Sequence, residues 1–279
     1  MKRILGAIDS SAHGLRVMDY AVQIARIYGA TVTGLFVVEI KKIEGPMLRD
    51  FLNTVGLEPG FDYSGKVERF LEMRSADLLS QFEEKCRASS VSFEGVSTKG
   101  IVGREIASLA SRVDLIVMGR RGEHAEWHSN PLGGSVEAVV RSTRVPILVT
   151  TRAYYDFQRA LVAFDGSSHS CDALRLAAEI HSQTGLEILV LSVVPEEDPD
   201  AREMFENEVR GILDPQACSY TFLVREGDPG VTIPMVATEL ECNLIIMGAY
   251  GHSKIREMIL GSVTQQVLFN SRVPLLMRR

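Results

Sequence analysis

Residues 244–263 read LIIMGAYGHSKIREMILGSV, and residues 115–136 read LIVMGRRGEHAEWHSNPLGGSV. Each opens with an apolar run of strand length that stops at a glycine, and each later reaches a Gly-Ser pair. A strand apolar at every position, rather than at alternate ones, belongs to a parallel sheet with helices on both faces. The same strand–loop–helix unit occurring twice points to an internal duplication, and the rest of the chain bears on that reading.

Working outward, KRILGAIDSS (residues 2–11) matches RALVAFDGSS (residues 159–168): a short apolar run, then an acid and small residues. LRVMDYAVQIARIYGA and ALRLAAEIHSQTG follow, with apolar positions three and four apart, as in helices that bury one face. Second strands TVTGLFVVEI and EILVLSVVPE come next, and the copies end in GGSVEAVVRSTRVPILVT and LGSVTQQVLFNSRVPLLMRR. Each copy therefore reads β-α-β-α-β-α-β-α-β, which predicts an α/β fold: two tandem, doubly wound, open parallel five-stranded sheets of Rossmann-like type. Ligands of such sheets sit beyond the carboxyl ends of the strands, where strand order reverses.

The expected division is residues 1–152 and 153–279, with TRAYYDFQ (residues 151–158) too short a connector for independent movement. Asp9 aligns with Asp165 at an offset of 156 and Gly119 with Gly248 at an offset of 129, so the first copy holds 27 extra residues. Most of that surplus is expected around residues 40–64, as a surface embellishment or a lid, before a helix over 65–88.

Composition restricts the function classes. A net charge of −6 argues against a coat for nucleic acid or anionic lipid, though not against a small anionic ligand held by backbone amides. No apolar run is long enough to span a bilayer, and MKRILGAIDSS reads as a strand rather than a leader. The four cysteines show no CxxC spacing and read as reduced thiols, which suggests a cytoplasmic protein.

The chemistry lies in the second copy's G-x2-G-x9-G-S spacing: Gly248, Gly251, Gly261 and Ser262, with Met247 before it and Val263 after. Glycines let the backbone approach phosphate oxygens, and a helix N-terminus offers unpaired N–H groups to an anion. Ser262 is expected to add a hydroxyl or cap the helix. His252 and Lys254 either meet phosphates or are solvated loop residues. In the first copy, Gly119 and Gly122 are followed by eleven residues rather than nine before Gly134-Ser135-Val136, which makes that site the less favoured. Arg120 and Arg121 would offset phosphate charge there or face solvent.

Both copies resemble the universal stress protein family, and nearly the whole chain looks like a tandem member of it. The resemblance implies an adenine-nucleotide alpha hydrolase-like fold that binds ATP or another adenine nucleotide, with or without Mg2+. It places the acids Asp165 and Asp9 near the ribose and a backbone contact to adenine at Val193 or Val194, with Val37 or Val38 in the first copy. Met247 and Met118 would line the base pocket. It also implies pairing of the last strands into an intrachain pseudo-dimer, with further pairing of chains left open. The leading expectation is a cytoplasmic stress sensor or regulator with no catalytic residues. An interaction scaffold and a slow ATPase or phosphotransferase using the same pocket are the alternatives.

Other constellations weigh less. His124 and His128 have the spacing of metal ligands on a helical turn but lack a third, so no metal site is expected. Trp127 suits either local packing or a partner contact. Ser168-His169 is adjacency without a placed base, and Ser168 reads instead as a helix cap. GxxxxGK[ST] and a GxGxxG after the first strand are both absent, against a P-loop NTPase and a dinucleotide dehydrogenase.

Overall fold

The structure, a computed structural model, describes residues 1–39, 63–122, 134–194, 199–249 and 261–279. In the first half these form β1 (Arg3–Ile8), α1 (Ala12–Tyr28), β2 (Thr31–Glu39), α2 (Tyr63–Ala88), β3 (Phe93–Gly100), α3 (Val102–Leu109), β4 (Leu115–Gly119), α4 (Gly134–Ser142) and β5 (Ile147–Thr150). The second half repeats the order with β6 (Arg159–Ala163), α5 (Ser168–Thr184), β7 (Glu187–Val194), α6 (Pro199–Leu213), β8 (Tyr220–Glu226), α7 (Pro229–Glu239), β9 (Leu244–Gly248), α8 (Ser262–Asn270) and β10 (Leu275–Arg278).

Local chemistry accounts for the repeated boundaries. Ser11 accepts a hydrogen bond from the Gly14 amide at 3.0 Å and starts α1, while Gly29, left-handed at φ 62°, ends it. Ser167 and Gly185 do the same for α5, with the Ser170 amide on Ser167 Oγ at 3.2 Å. The cap is therefore Ser167 and not Ser168, which is already the first helical residue. The first half caps α1 from the matching position, Ser11, with Ser10 where the second half has Gly166.

Within each half the strand order is 3-2-1-4-5, all parallel, and the two halves join through an antiparallel β5–β10 pair. The two expected five-stranded sheets are thus one ten-stranded sheet, β3-β2-β1-β4-β5-β10-β9-β6-β7-β8. At the seam Leu148 faces Leu276, Val149 faces Leu275, and Ile147 faces Met277. One hydrophobic core lies under α1, α2, α5 and α6, the other under α3, α4, α7 and α8, and both run unbroken across the seam. The apolar runs of β4 and β9 are buried throughout up to the closing glycine of β4, as two covered faces require.

The connector is held down rather than loose. Tyr20 of α1 is fully buried, its ring stacks on Phe157 at 5.2 Å, and its hydroxyl accepts the Tyr155 amide at 2.8 Å. Tyr20→Phe leaves that amide without its acceptor and is expected to cost about 1–3 kcal/mol, read as a lowered urea midpoint at unchanged m. An unchanged midpoint would show that the amide is satisfied by water.

Most of the first half's surplus was expected around residues 40–64, before a helix over 65–88. The helix α2 has 26 residues against 15 in α6, so a share of the surplus lengthens a helix. The rest falls among residues 40–62, outside the described residues. All four cysteines are free, and burial pushes the Cys86 thiol up to about 12 and that of Cys242 to about 11, which makes them poor nucleophiles. Among the described residues, no helix is long and apolar enough to cross a membrane.

Candidate functional site

Beyond the carboxyl ends of β6 and β9, where strand order reverses in the second half, lies an open cleft of about 270 Å³. One wall carries Asp165 with Ser167 and Ser170 from the start of α5. The apolar wall comes from Leu191 and Val193 of β7, Ile233 of α7 and Met247 of β9. The far end is Gly248 together with the α8 start, Gly261, Ser262, Val263 and Thr264.

Asp165 lies two residues beyond the end of β6, and its carboxylate accepts the Ser167 amide at 3.0 Å. The β7 backbone separates the two valines singled out from the sequence. Leu191 accepts the Phe164 amide at 2.9 Å, so by strand parity the Val193 N–H and C=O point to the same side, beyond the last residue of β6. Val194 points to the other side, where its carbonyl accepts the Gly227 amide at 3.0 Å, and it does not line the cleft.

Gly248 has a packing reason to be glycine. A Cβ there would stand 2.8 Å from the His169 Cβ and 2.9 Å from its backbone carbon, so β9 and the first turn of α5 meet closer than any side chain allows. Gly119 repeats this against His13, at 3.0 Å.

Ser262 is not the N-cap. Gly261 holds that position, no side chain among the described residues caps the helix, and Ser262 is its first residue. By contrast, Ser11, Ser167 and Asp228 each spend a side-chain oxygen on the first turn of α1, α5 and α7. The first turn of α8, whose amides have no intrahelical acceptor, lines the cleft with the positive end of the helix dipole. Thr264 is turned away from that role, since its hydroxyl donates to the Ala249 carbonyl at 3.1 Å. Gly251, His252 and Lys254 lie outside the described residues, as do His124, Trp127 and His128.

In the first half the acid, the cap serine and the glycine loop are in contact. Asp9 accepts the Ser11 amide at 2.9 Å, and Ser11 Oγ donates to the Asp9 carboxylate or, at 3.3 Å, to the Arg121 carbonyl. A Cβ on Gly122 would lie 3.0 Å from Asp9 Oδ2, so the glycine loop rests against its own acid. Met118 and Val136 are buried in the core under α3 and α4, with Val37 packed against it. Val38 belongs to the opposite core, while Gly134 and Ser135 open α4. Arg120 is half-buried, and its guanidinium donates to carbonyls of the second half.

Sequence reading missed Ser170, Leu191, Pro229 and Ile233, all of which line the cleft. Leu191 was accessible through strand alternation, two residues before Val193. Asp228-Pro229-Gly230 was a helix-start signal whose tip had to lie on the same edge of the sheet as Asp165. Ser170 carried no signal of its own.

The fold and the cleft define a tandem α/β protein with a helix N-terminus and an acid on one cleft. The universal stress protein family model matches residues 1–151 and again residues 156–279, and the chain belongs to that family. It is similar to universal stress protein Slr1230 of Synechocystis sp., 24% identical over 285 residues, with 99% of each chain covered. Universal stress protein Sll1654 of the same organism is 29% identical over 132 residues, covering 43% of this chain and 84% of its own length. Among solved structures, a universal stress protein from Archaeoglobus fulgidus DSM 4304 superposes with a TM-score of 0.75 at 23% identity, over 99% of this chain and 96% of that one.

Proposed function

We propose that the second half binds one adenine nucleotide, ATP in preference, and that the protein acts as a ligand-dependent stress regulator in the cytoplasm. The observation that carries this reading is the uncapped start of α8 opening into the same cleft as Asp165 and the backbone of Val193. The residues fit the ligand class from end to end. Leu191, Val193, Ile233 and Met247 offer an apolar slot for a base, and Val193 a donor and acceptor for its edge. Asp165 suits a sugar hydroxyl, and the amides of Ser262 and Val263 suit phosphate. Mg2+ would enter on the phosphates rather than through a protein cage. The family supplies the words adenine and stress; the four free cysteines suit a reducing compartment.

Calorimetric titration of ATP, with and without Mg2+, is expected to give one site per chain. The double variant Gly261→Glu, Ser262→Ala sets a carboxylate where phosphate would lie and is expected to weaken binding by about 100-fold or more. Absence of heat with intact, ligand-free protein would turn the reading to the scaffold. Phosphate release above a protein-free control, lost in Asp165→Ala, would turn it to the slow ATPase.

A further inference from the structure

The loop Gly119-Arg120-Arg121-Gly122 sends one of its arginines into the other half. Arg120 Nη1 donates to the Leu268 carbonyl at 2.9 Å and to the Ser271 carbonyl at 2.7 Å. Both acceptors belong to the C-terminal end of α8, and the opposite end of that helix closes the cleft. With nine residues, α8 is about 13 Å long, so the arginine and the phosphate end are a short, rigid distance apart.

The position is a costly one for a guanidinium. Burial, then the nearby Arg121 and Arg152, disfavour its charge, and its Nε is buried with no hydrogen-bond partner in the structure. What offsets this is two charge-assisted bonds to carbonyls at the helix end, where the last four have no intrahelical donor. The second half has Ala249 at the matching place, so it cannot return the same contact. It uses its last residue instead: Arg279 donates to the Arg141 carbonyl at the C-terminal end of α4. Each half thus closes the far end of the other half's loop-following helix, from positions that the duplication does not relate.

We infer that Arg120 is a positioning residue for the phosphate end of the second half's cleft, coupling the first half's glycine loop to nucleotide affinity in the second. This rests on the nucleotide reading above. The two bonds fix the tilt and axial placement of α8 against the seam, and the cation at its C-terminal end reinforces the positive potential that its N-terminus presents to an anion. The first half's glycine loop, whose own pocket is the less favoured, acquires a role through its neighbour.

The test compares Arg120→Met, which keeps the stem and loses the charge and both donors, with Arg120→Lys, which keeps the charge. Arg279→Met, at the end of the other helix, is the control. ATP affinity by calorimetry is expected to fall about five- to tenfold in Arg120→Met and less in Arg120→Lys, with Arg279→Met at the value of the unaltered protein. Hydrogen exchange of the ligand-free protein is expected to speed up across residues 262–270 in Arg120→Met and to stay unchanged there in Arg279→Met. ATP affinity within twofold of the unaltered protein in Arg120→Met would overturn the inference. Should the unaltered protein bind no ATP, the nucleotide reading fails and exchange alone decides: unchanged protection of 262–270 in Arg120→Met overturns the positioning role. If Arg120→Met does not fold, the same two readouts on Arg120→Lys decide, a twofold or greater loss of affinity supporting the role and none opposing it.

Discussion

Leu148→Asp is expected to break the molecule's single unfolding transition into two. Leu148 is 1% exposed, pairs with Leu276 across the seam and with Val117 on β4, and belongs to the core that lies under α1 and α5 together. With both cores continuous across the seam, neither half can open without exposing apolar surface of the other, so the unaltered chain should unfold in one step. A carboxylate at this position has only apolar neighbours and either stays charged at high cost or takes up a proton. We expect a loss of about 5 kcal/mol, since a buried charge without a partner is among the few changes that reach this size. The loss falls on the β5–β10 seam and on the β4–β5 pair beside it, so the second half, whose own strand pairs are untouched, is expected to unfold separately and at higher urea than the first. Urea unfolding followed by far-ultraviolet circular dichroism should show two midpoints, and Leu148→Met, which conserves volume, a single one within about 1.5 kcal/mol of the original. A single transition at the original midpoint in Leu148→Asp would mean that the β5–β10 pair contributes little.

The second large effect is one of pH. His13, in the first turn of α1, is 4% exposed, and its Nε2 is buried with no hydrogen-bond partner in the structure. Burial, then the positive charges of Arg120, Arg152 and Arg121, lower its pKa from 6.5 to about 4. All three guanidinium charges disfavour its protonation. In the unfolded chain the imidazole takes up its proton near pH 6.5, and in the folded chain only near 4, so between these values the unfolded state holds more protons. Stability from this group is therefore complete above pH 6.5 and is lost progressively as the pH falls toward 4, by about 3 kcal/mol in total. Asp114, whose carboxylate is held below the usual range chiefly by the Lys2 amide, acts in the same direction but at lower pH, and so leaves the upper part of the window to His13. Urea midpoints measured between pH 7.5 and 4.5 should fall in the unaltered protein and fall much less in His13→Asn. Parallel pH profiles for the two proteins would show that His13 titrates alike folded and unfolded.

The first-copy arginines illustrate how far residue types alone can lead. Arg120 and Arg121 look alike in sequence, flanked by the same two glycines, and composition treats them as solvated or phosphate-facing. Arg120 instead reaches carbonyls 148 and 151 positions along the chain. No periodicity could reveal that contact, because it depends on how two halves meet.

What the sequence determined by itself follows from signals that act over a few residues. The apolar runs LIVMG and LIIMG, the Ser-start and Gly-stop of α1 and α5, and the repeated order of strands and helices are set by side-chain period and capping chemistry, and these hold wherever the segment ends up. The cleft's location follows too, since helix starts and strand ends of a parallel sheet share one edge. Tertiary structure alone decided the rest. Ser167 caps α5 in place of Ser168, as Ser11 caps α1, because its oxygen is the one within reach of the first-turn amide. Gly261 stands at the N-cap of α8 and leaves its first turn without a side-chain partner among the described residues, and Val193 rather than Val194 turns its backbone beyond the end of β6. Pairing of the last strands was implied by family likeness and not by any residue pattern, since VPILV and VPLLM read equally well as edges or as partners. Register, parity and the seam are long-range quantities, and their energies come from surfaces that meet only when the whole chain is folded.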